Sequence, residues 1–169
     1  KQDLNGYESE AEYLISCLLD CSNVCDYVSC EECLINGKKG CVSESFLNEN
    51  EAFITFERLH QIYTGRHMID EVRVLNDIED RIQYVKDFIL SNTGLDVSSY
   101  LSNIFSLDAL TLNYDRHFNN LGIIYDSERE IYREAPIFDN GAGLLSNVSR
   151  FPLFKSIDEN VGNIAGQPI

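Results

Sequence analysis

Three oxygen-bearing side chains stand close together in the sequence in an order that suggests chemistry. Asp115 is followed by His117 and then, five positions on, by Asn120, and Asp139 heads the run Asp139-Asn140-Gly141. Carboxylate and amide oxygens are hard donors that suit magnesium, and a carboxylate beside a hydroxyl can take its proton. Phosphoryl transfer needs both: one group to orient and deprotonate the attacking hydroxyl, and oxygens to hold a divalent cation against nucleotide phosphates. The order gives the first task to Asp115 and the second to Asn120 and Asp139. Alone, either Asp could be a turn former or a helix cap. Their joint occurrence with Asn120, on either side of an expected pair of strands, selects the chemistry. His117 is expected to anchor this loop by hydrogen bonds from its ring, since the reaction asks no proton transfer of it. Gly141-Ala142-Gly143 does not open into a helix, so it reads as the start of a flexible segment and not as a phosphate loop.

The elements that must position these groups follow from hydrophobic spacing. Residues 8–21 carry apolar side chains at 11, 14, 15, 18 and 19, a helical period. Glu8, Glu10 and Glu12 could form a solvated acidic face at its start. Cys17 and Cys21 lie in register with Leu14 and Leu18, which places these thiols on a buried face. Asn36-Gly37 between apolar runs signals a hairpin. Residues 52–59 fit a short strand or a helix start equally. Residues 71–91 read as one helix stopped by Gly94, Asp96 caps a largely buried helix reaching Leu112, and 121–125 and 131–138 are strand candidates joined by a polar turn. His60 and His67 have no partner at ligand spacing and read as surface residues.

The whole chain sets limits on these readings. Its 169 residues make one domain the default, and 44% hydrophobic with 24% charged residues is ordinary for a globular chain. A net charge of −15 disfavours bare nucleic acid and anionic membrane, and no apolar run approaches the roughly 20 residues that a bilayer demands. The six cysteines all lie between 17 and 41, and Cys30-x-x-Cys33 lacks the second close pair of a zinc site. No secretory signal is visible, so reduced thiols and a cytoplasmic location are expected, with export to a host cell left open. A small mixed segment followed by a helical body gives an α+β class.

Residues 113–122, Asn-Tyr-Asp-Arg-His-Phe-Asn-Asn-Leu-Gly, followed by Ala135-Pro136-Ile137-Phe138-Asp139-Asn140-Gly141, resemble the C-terminal lobe of HipA-like serine/threonine protein kinases, where D-x-H-x-x-N precedes a proline and a hydrophobic pair ending in the metal-binding Asp. The resemblance implies one kinase-like domain over 1–169. Residues 1–46 would be a partial N-lobe with a regulatory helix and a hairpin, and 47–169 the helical C-lobe. It implies ATP and Mg2+ as cofactors and phosphoryl transfer to a Ser or Thr hydroxyl of a protein substrate. Asp115 would be the base and Asn120 and Asp139 the metal ligands. Residues 7–13 resemble the start of the helix whose glutamate pairs with the ATP-binding lysine. Glu8 and Glu12 share a face and either could serve, with the lysine strand at or before Lys1. Ser43, Glu44, Ser45 and Phe46 resemble the hinge behind adenine. An antitoxin-like or regulatory protein partner fits the same family. Two other readings remain. A pseudokinase or truncated module acting by protein binding is suggested by the absence of an evident glycine-rich phosphate loop. A phosphoinositide-type lipid kinase shares Asp-Arg-His-x-x-Asn, but the acidic charge and the strand pair with its Ala-Pro argue against it. Asn140 replaces the aromatic of the usual D-F-G.

Overall fold

The computed structural model of the chain describes residue 3, residues 6–24 and residues 26–164. In chain order its elements are α1 (Glu8–Asp20), β1 (Glu31–Ile35), β2 (Lys38–Val42), β3 (Glu51–Thr55), α2 (Phe56–Thr64), α3 (Met68–Arg73), α4 (Ile78–Thr93), α5 (Ser98–Thr111), β4 (Gly122–Asp126), β5 (Ile131–Glu134) and α6 (Ile157–Val161). They fall into two compact units. Of the described residues, the first comprises those within 1–45, 104–115 and 136–164, and the second those of 46–103 and 116–135. The expected α+β mixture is present, with small antiparallel sheets. No helix among the described residues is long and apolar enough to cross a membrane.

In the first unit α1 buries Ala11, Ile15 and Leu19, together with Glu12 and Ser16. Leu14 and Leu18 stay 54% and 42% exposed, so the expected burial of Cys17 and Cys21 is corrected: Cys17 is half-buried and Cys21 exposed. The apolar residues of α1 cover more than one face, and the row spaced by four through 11, 15 and 19 is the one that packs. Burial pushes the Cys30 thiol up to about 12, helped by the charge of Glu12, which leaves it protonated and inert. The hairpin forms where it was read. β1 and β2 pair from Glu31↔Val42 to Ile35↔Lys38, and Asn36 and Gly37 turn with φ of 52° and 78°, the left-handed pair a tight hairpin requires.

In the second unit the ambiguous stretch 52–59 proves to be both alternatives: strand β3 ends at Thr55, whose hydroxyl accepts the Arg58 N–H at 3.0 Å and caps α2. β3, β4 and β5 form one antiparallel sheet. The predicted single helix over 71–91 is two helices. α3 ends at Arg73, Val74 is 74% exposed, and Asp77 is extended at the start of α4 with φ −95° and ψ 143°. Asn76 and Asp77 favour turns, and here they outweigh the apolar period. Gly94 stops α4 in a left-handed conformation, as read. Leu110, in the part of α5 that belongs to the first unit and expected in its buried face, is 69% exposed. His60 is not a surface residue: it is fully buried, with Nδ1 2.8 Å from the Arg66 carbonyl and Nε2 3.0 Å from the Tyr84 hydroxyl.

Candidate functional site

Within the first unit, the end of α5 leads directly to Asp115. Leu112 takes a left-handed φ of 57° and breaks the helix. The Asn113 N–H then donates to the Asp108 carbonyl at 2.9 Å, and Asn113 Oδ1 accepts the Asp115 N–H at 3.2 Å, an Asx-type turn. Tyr114 is buried, its hydroxyl accepting from Asn147 Nδ2 at 3.2 Å, with the Arg150 guanidinium 4.2 Å above its ring. Asp115 itself is exposed. Both its neighbours, Tyr114 and Arg116, are buried, while Asp115 stays accessible to solvent.

The same unit holds the segment that begins at Asp139. The run 131–138, expected to be one strand, pairs with β4 only as far as Glu134. Pro136 has no N–H to give a ladder, and Ile137 bridges in parallel to Tyr27 instead, its N–H donating to the Asp26 carbonyl at 2.9 Å. Asp139 follows in a left-handed conformation, φ 56°, one that Asp tolerates better than most residues. The next N–H, of Asn140, donates to Glu12 Oε2 at 2.9 Å in a buried hydrogen bond. Beyond it the Gly143 N–H reaches the Asn140 carbonyl at 3.0 Å, and the Leu144 N–H reaches the Thr111 carbonyl at 2.6 Å. The Ser146 hydroxyl donates to the Gly141 carbonyl at 2.5 Å. The expected flexible segment is therefore a closely bonded turn in its first residues.

These bonds separate the helix glutamates. Glu12 is only 5% exposed, so the solvated-face alternative fails for it: its carboxylate grips the residue after Asp139. Glu8 reaches the same turn through its main-chain carbonyl, which would stand 3.1 Å from a side chain built on Gly141. Glu10 pairs with Lys39, which holds its carboxyl below the usual range. Ser43, Glu44 and Ser45 are exposed and outside regular structure. Lys1 lies outside the described residues.

His117, Asn120 and Phe46 belong to the second unit. The loop 117–121 is fixed by its main chain. The Asn120 N–H donates to the His117 carbonyl at 2.8 Å, the Glu57 N–H to the Phe118 carbonyl at 3.3 Å, and the Phe56 N–H to the Leu121 carbonyl at 2.9 Å. The expectation that the His117 ring anchors the loop is corrected: its Nδ1 is buried without a hydrogen-bond partner, and its main-chain carbonyl does the anchoring. Asn120 is buried. Phe46 packs edge-on against Phe53 at 5.7 Å between ring centroids. An open cleft of about 380 Å³ lies beside this loop, lined by Glu57, Arg58, Gln61, His67, Arg73 and His117 among others. Sequence reading missed it, because its walls come from segments with no shared period or motif.

No three His, Cys, Asp or Glu side chains gather to hold a metal among the described residues. The predicted ligands fall in different units, Asp139 in the first and Asn120 in the second, and each offers the oxygen donor that magnesium takes.

No family profile and no curated protein matches the chain. Among solved structures it resembles a Helicobacter pylori proinflammatory kinase, CtkA, with a TM-score of 0.69 and 22% identity over 94% of this chain and 54% of that one. The likeness shows a shared, kinase-like fold. The chain spans about half the length of that structure.

Proposed function

We propose that this chain is part of a HipA-like protein kinase that transfers a phosphoryl group from magnesium ATP to a serine or threonine hydroxyl of a protein. The observation that carries the reading is the kinase-like fold, found in a chain whose 113–141 segment has the residue order such chemistry uses. Two further facts support it. Asp115 is exposed on a short turn after α5, and Asp139 stands in a left-handed turn whose next N–H is tied to Glu12 on α1. The lobe assignment, with α1 as the regulatory helix, belongs to the same proposal.

When bound, magnesium ATP supplies the phosphoryl group and much of the charge neutralisation. Asp115 orients the incoming hydroxyl and accepts its proton as the hydroxyl oxygen bonds to phosphorus and the bond to the departing diphosphate oxygen breaks. Asn120 and Asp139 would supply oxygens to the cation. Glu12 is a positioning residue: through the Asn140 N–H it fixes the turn that carries Asp139.

The test is magnesium-dependent transfer of labelled γ-phosphate by the full-length protein, to itself or to a protein acceptor, with Asp115→Ala as control. Loss of a general base predicts a rate drop of about 10²- to 10⁴-fold with nucleotide binding retained. Asp139→Asn should instead weaken the magnesium-dependent part of nucleotide binding. Absence of any turnover by a folded full-length protein rejects the enzyme reading, and an Asp115→Ala variant as active as the parent rejects the residue assignment.

A further inference from the structure

The cleft beside residues 117–119 is formed wholly within the second unit and has no part in the phosphoryl-transfer scheme above. Its lining combines two arginines, two histidines, one carboxylate and two side-chain amides. What distinguishes it is the state of its cationic groups. Elsewhere in the chain Arg66 pairs with Glu71, Arg129 with Asp126 and Arg133 with Glu51, Arg81 donates to the Leu75 carbonyl, and Arg150 lies over Tyr114. Arg58 and Arg73 make no side-chain hydrogen bond or ion pair among the described residues, in a chain with 28 acidic side chains available to pair with them.

Glu57, the carboxylate of the cleft, does not fill that role because it is already engaged. Its Oε1 lies 2.6 Å from His67 Nδ1 and accepts Gln61 Nε2 at 3.0 Å, and its Oε2 accepts the Met68 N–H at 3.2 Å. Three donors therefore occupy its oxygens, so Glu57 is not a partner for the arginines. The His117 ring also lines the cleft, but its Nδ1 is buried and out of reach of a ligand there, so the arginines alone carry the site.

From this combination we infer that the cleft is a binding site for a phosphate monoester, with Arg58 and Arg73 holding the phosphate oxygens. Planar guanidinium groups match phosphate oxygens in pairs, which a flexible ammonium does not. The volume argues for an ester over a free ion. At about 30 Å³ per water the cleft of about 380 Å³ holds roughly a dozen waters, room for a phosphate together with the side chain or small alcohol that carries it.

The experiment is calorimetric titration of the 169-residue chain with O-phospho-L-serine, inorganic phosphate and L-serine at fixed chloride. O-phosphoserine should bind, phosphate should bind more weakly, and serine should give no heat. Arg58→Ala and Arg73→Ala should each weaken O-phosphoserine about tenfold, and the double variant should abolish it. Both side chains are exposed, so the variants should keep the parent's circular dichroism spectrum. Asp115→Ala should bind as the parent does, which separates this site from the proposed reaction. The inference is overturned by a wild-type chain that fails to bind at millimolar ligand or by a double variant that binds like the parent. Loss of binding in Asp115→Ala would assign the phosphate to the reaction site and overturn it too. Inorganic phosphate binding as tightly as the ester would make this a site for the free ion and reject the ester.

Discussion

At the scale of single residues, the hydrogen bond from Asn140 to Glu12 is the contact on which the candidate metal ligand depends. A charged acceptor bonded to a buried main-chain donor is worth about 1.5–3 kcal/mol, and losing it leaves the donor unsatisfied. Glu12→Ala is therefore expected to destabilise the chain by about 2 kcal/mol in urea unfolding. Glu12→Gln keeps an acceptor oxygen and should lose less. If both variants unfold like the parent, Glu12 has no special hold on the turn. This pairing was illegible in the sequence, where the partners are 128 residues apart and share no motif. Asp115, Asn120 and Asp139 were legible as candidates because chemical identity and order alone mark them. Their surroundings were not: nothing in the run 113–120 says that Tyr114 and Asn120 turn inward while Asp115 faces solvent.

At the scale of elements, β4 begins at Gly122 directly after the loop that carries His117 and Asn120. The strand registers there with Thr55, and a Cβ on Gly122 would lie 2.4 Å from Phe53 Cε2 and 2.8 Å from the Ile54 carbonyl oxygen. A flexible side-chain tip could yield, but a main-chain oxygen in a paired strand cannot without shifting the register. Gly122→Ala should cost about 1–3 kcal/mol as overpacking, measured as a lower melting temperature. A melting temperature unchanged from the parent would show that β3 and β4 do not approach this closely. Which elements were readable follows from how local their causes are. The Asn36-Gly37 hairpin and the Gly94 stop depend on the backbone freedom of one or two residues and were read correctly. The break between α3 and α4 pits a continuous apolar period against the turn preference of Asn76 and Asp77, and periodicity alone chose wrongly. The burial of α1 and α5 was misjudged at Leu14, Leu18 and Leu110 because a helix with too many apolar residues does not announce which of them face its neighbours.

At the scale of the whole molecule, charge dominates. The net charge of −15 makes long-range self-repulsion a standing cost at neutral pH, while a few carboxylates are held locally by specific partners. The largest influence on Glu51 is its hydrogen bond with Arg133, and on Glu10 its hydrogen bond with Lys39. Asp96 is held by the Ser98 hydroxyl and Glu159 by the Ser156 main chain. All four are shifted below their ordinary values of 4.5 for Glu and 3.8 for Asp. A carboxyl with a lowered folded-state pKa binds its proton more readily when unfolded, so the stability it lends is complete above the ordinary value and is lost as pH falls through the lowered one. The urea midpoint should therefore hold steady from neutral pH down to about 5 and fall below it. Glu51→Gln should lower the neutral midpoint and make the acid limb shallower. Salt tests the opposing term at neutral pH. Repulsion among exposed carboxylates acts beyond the screening length of about 8–10 Å, whereas the Arg133–Glu51 contact is 3.0 Å long with the Glu51 side chain 8% exposed. Added salt should thus weaken the repulsion more than the pair and raise the midpoint. A midpoint that falls with salt would mean that ion pairs, and not the excess of negative charge, set the electrostatic balance of this fold.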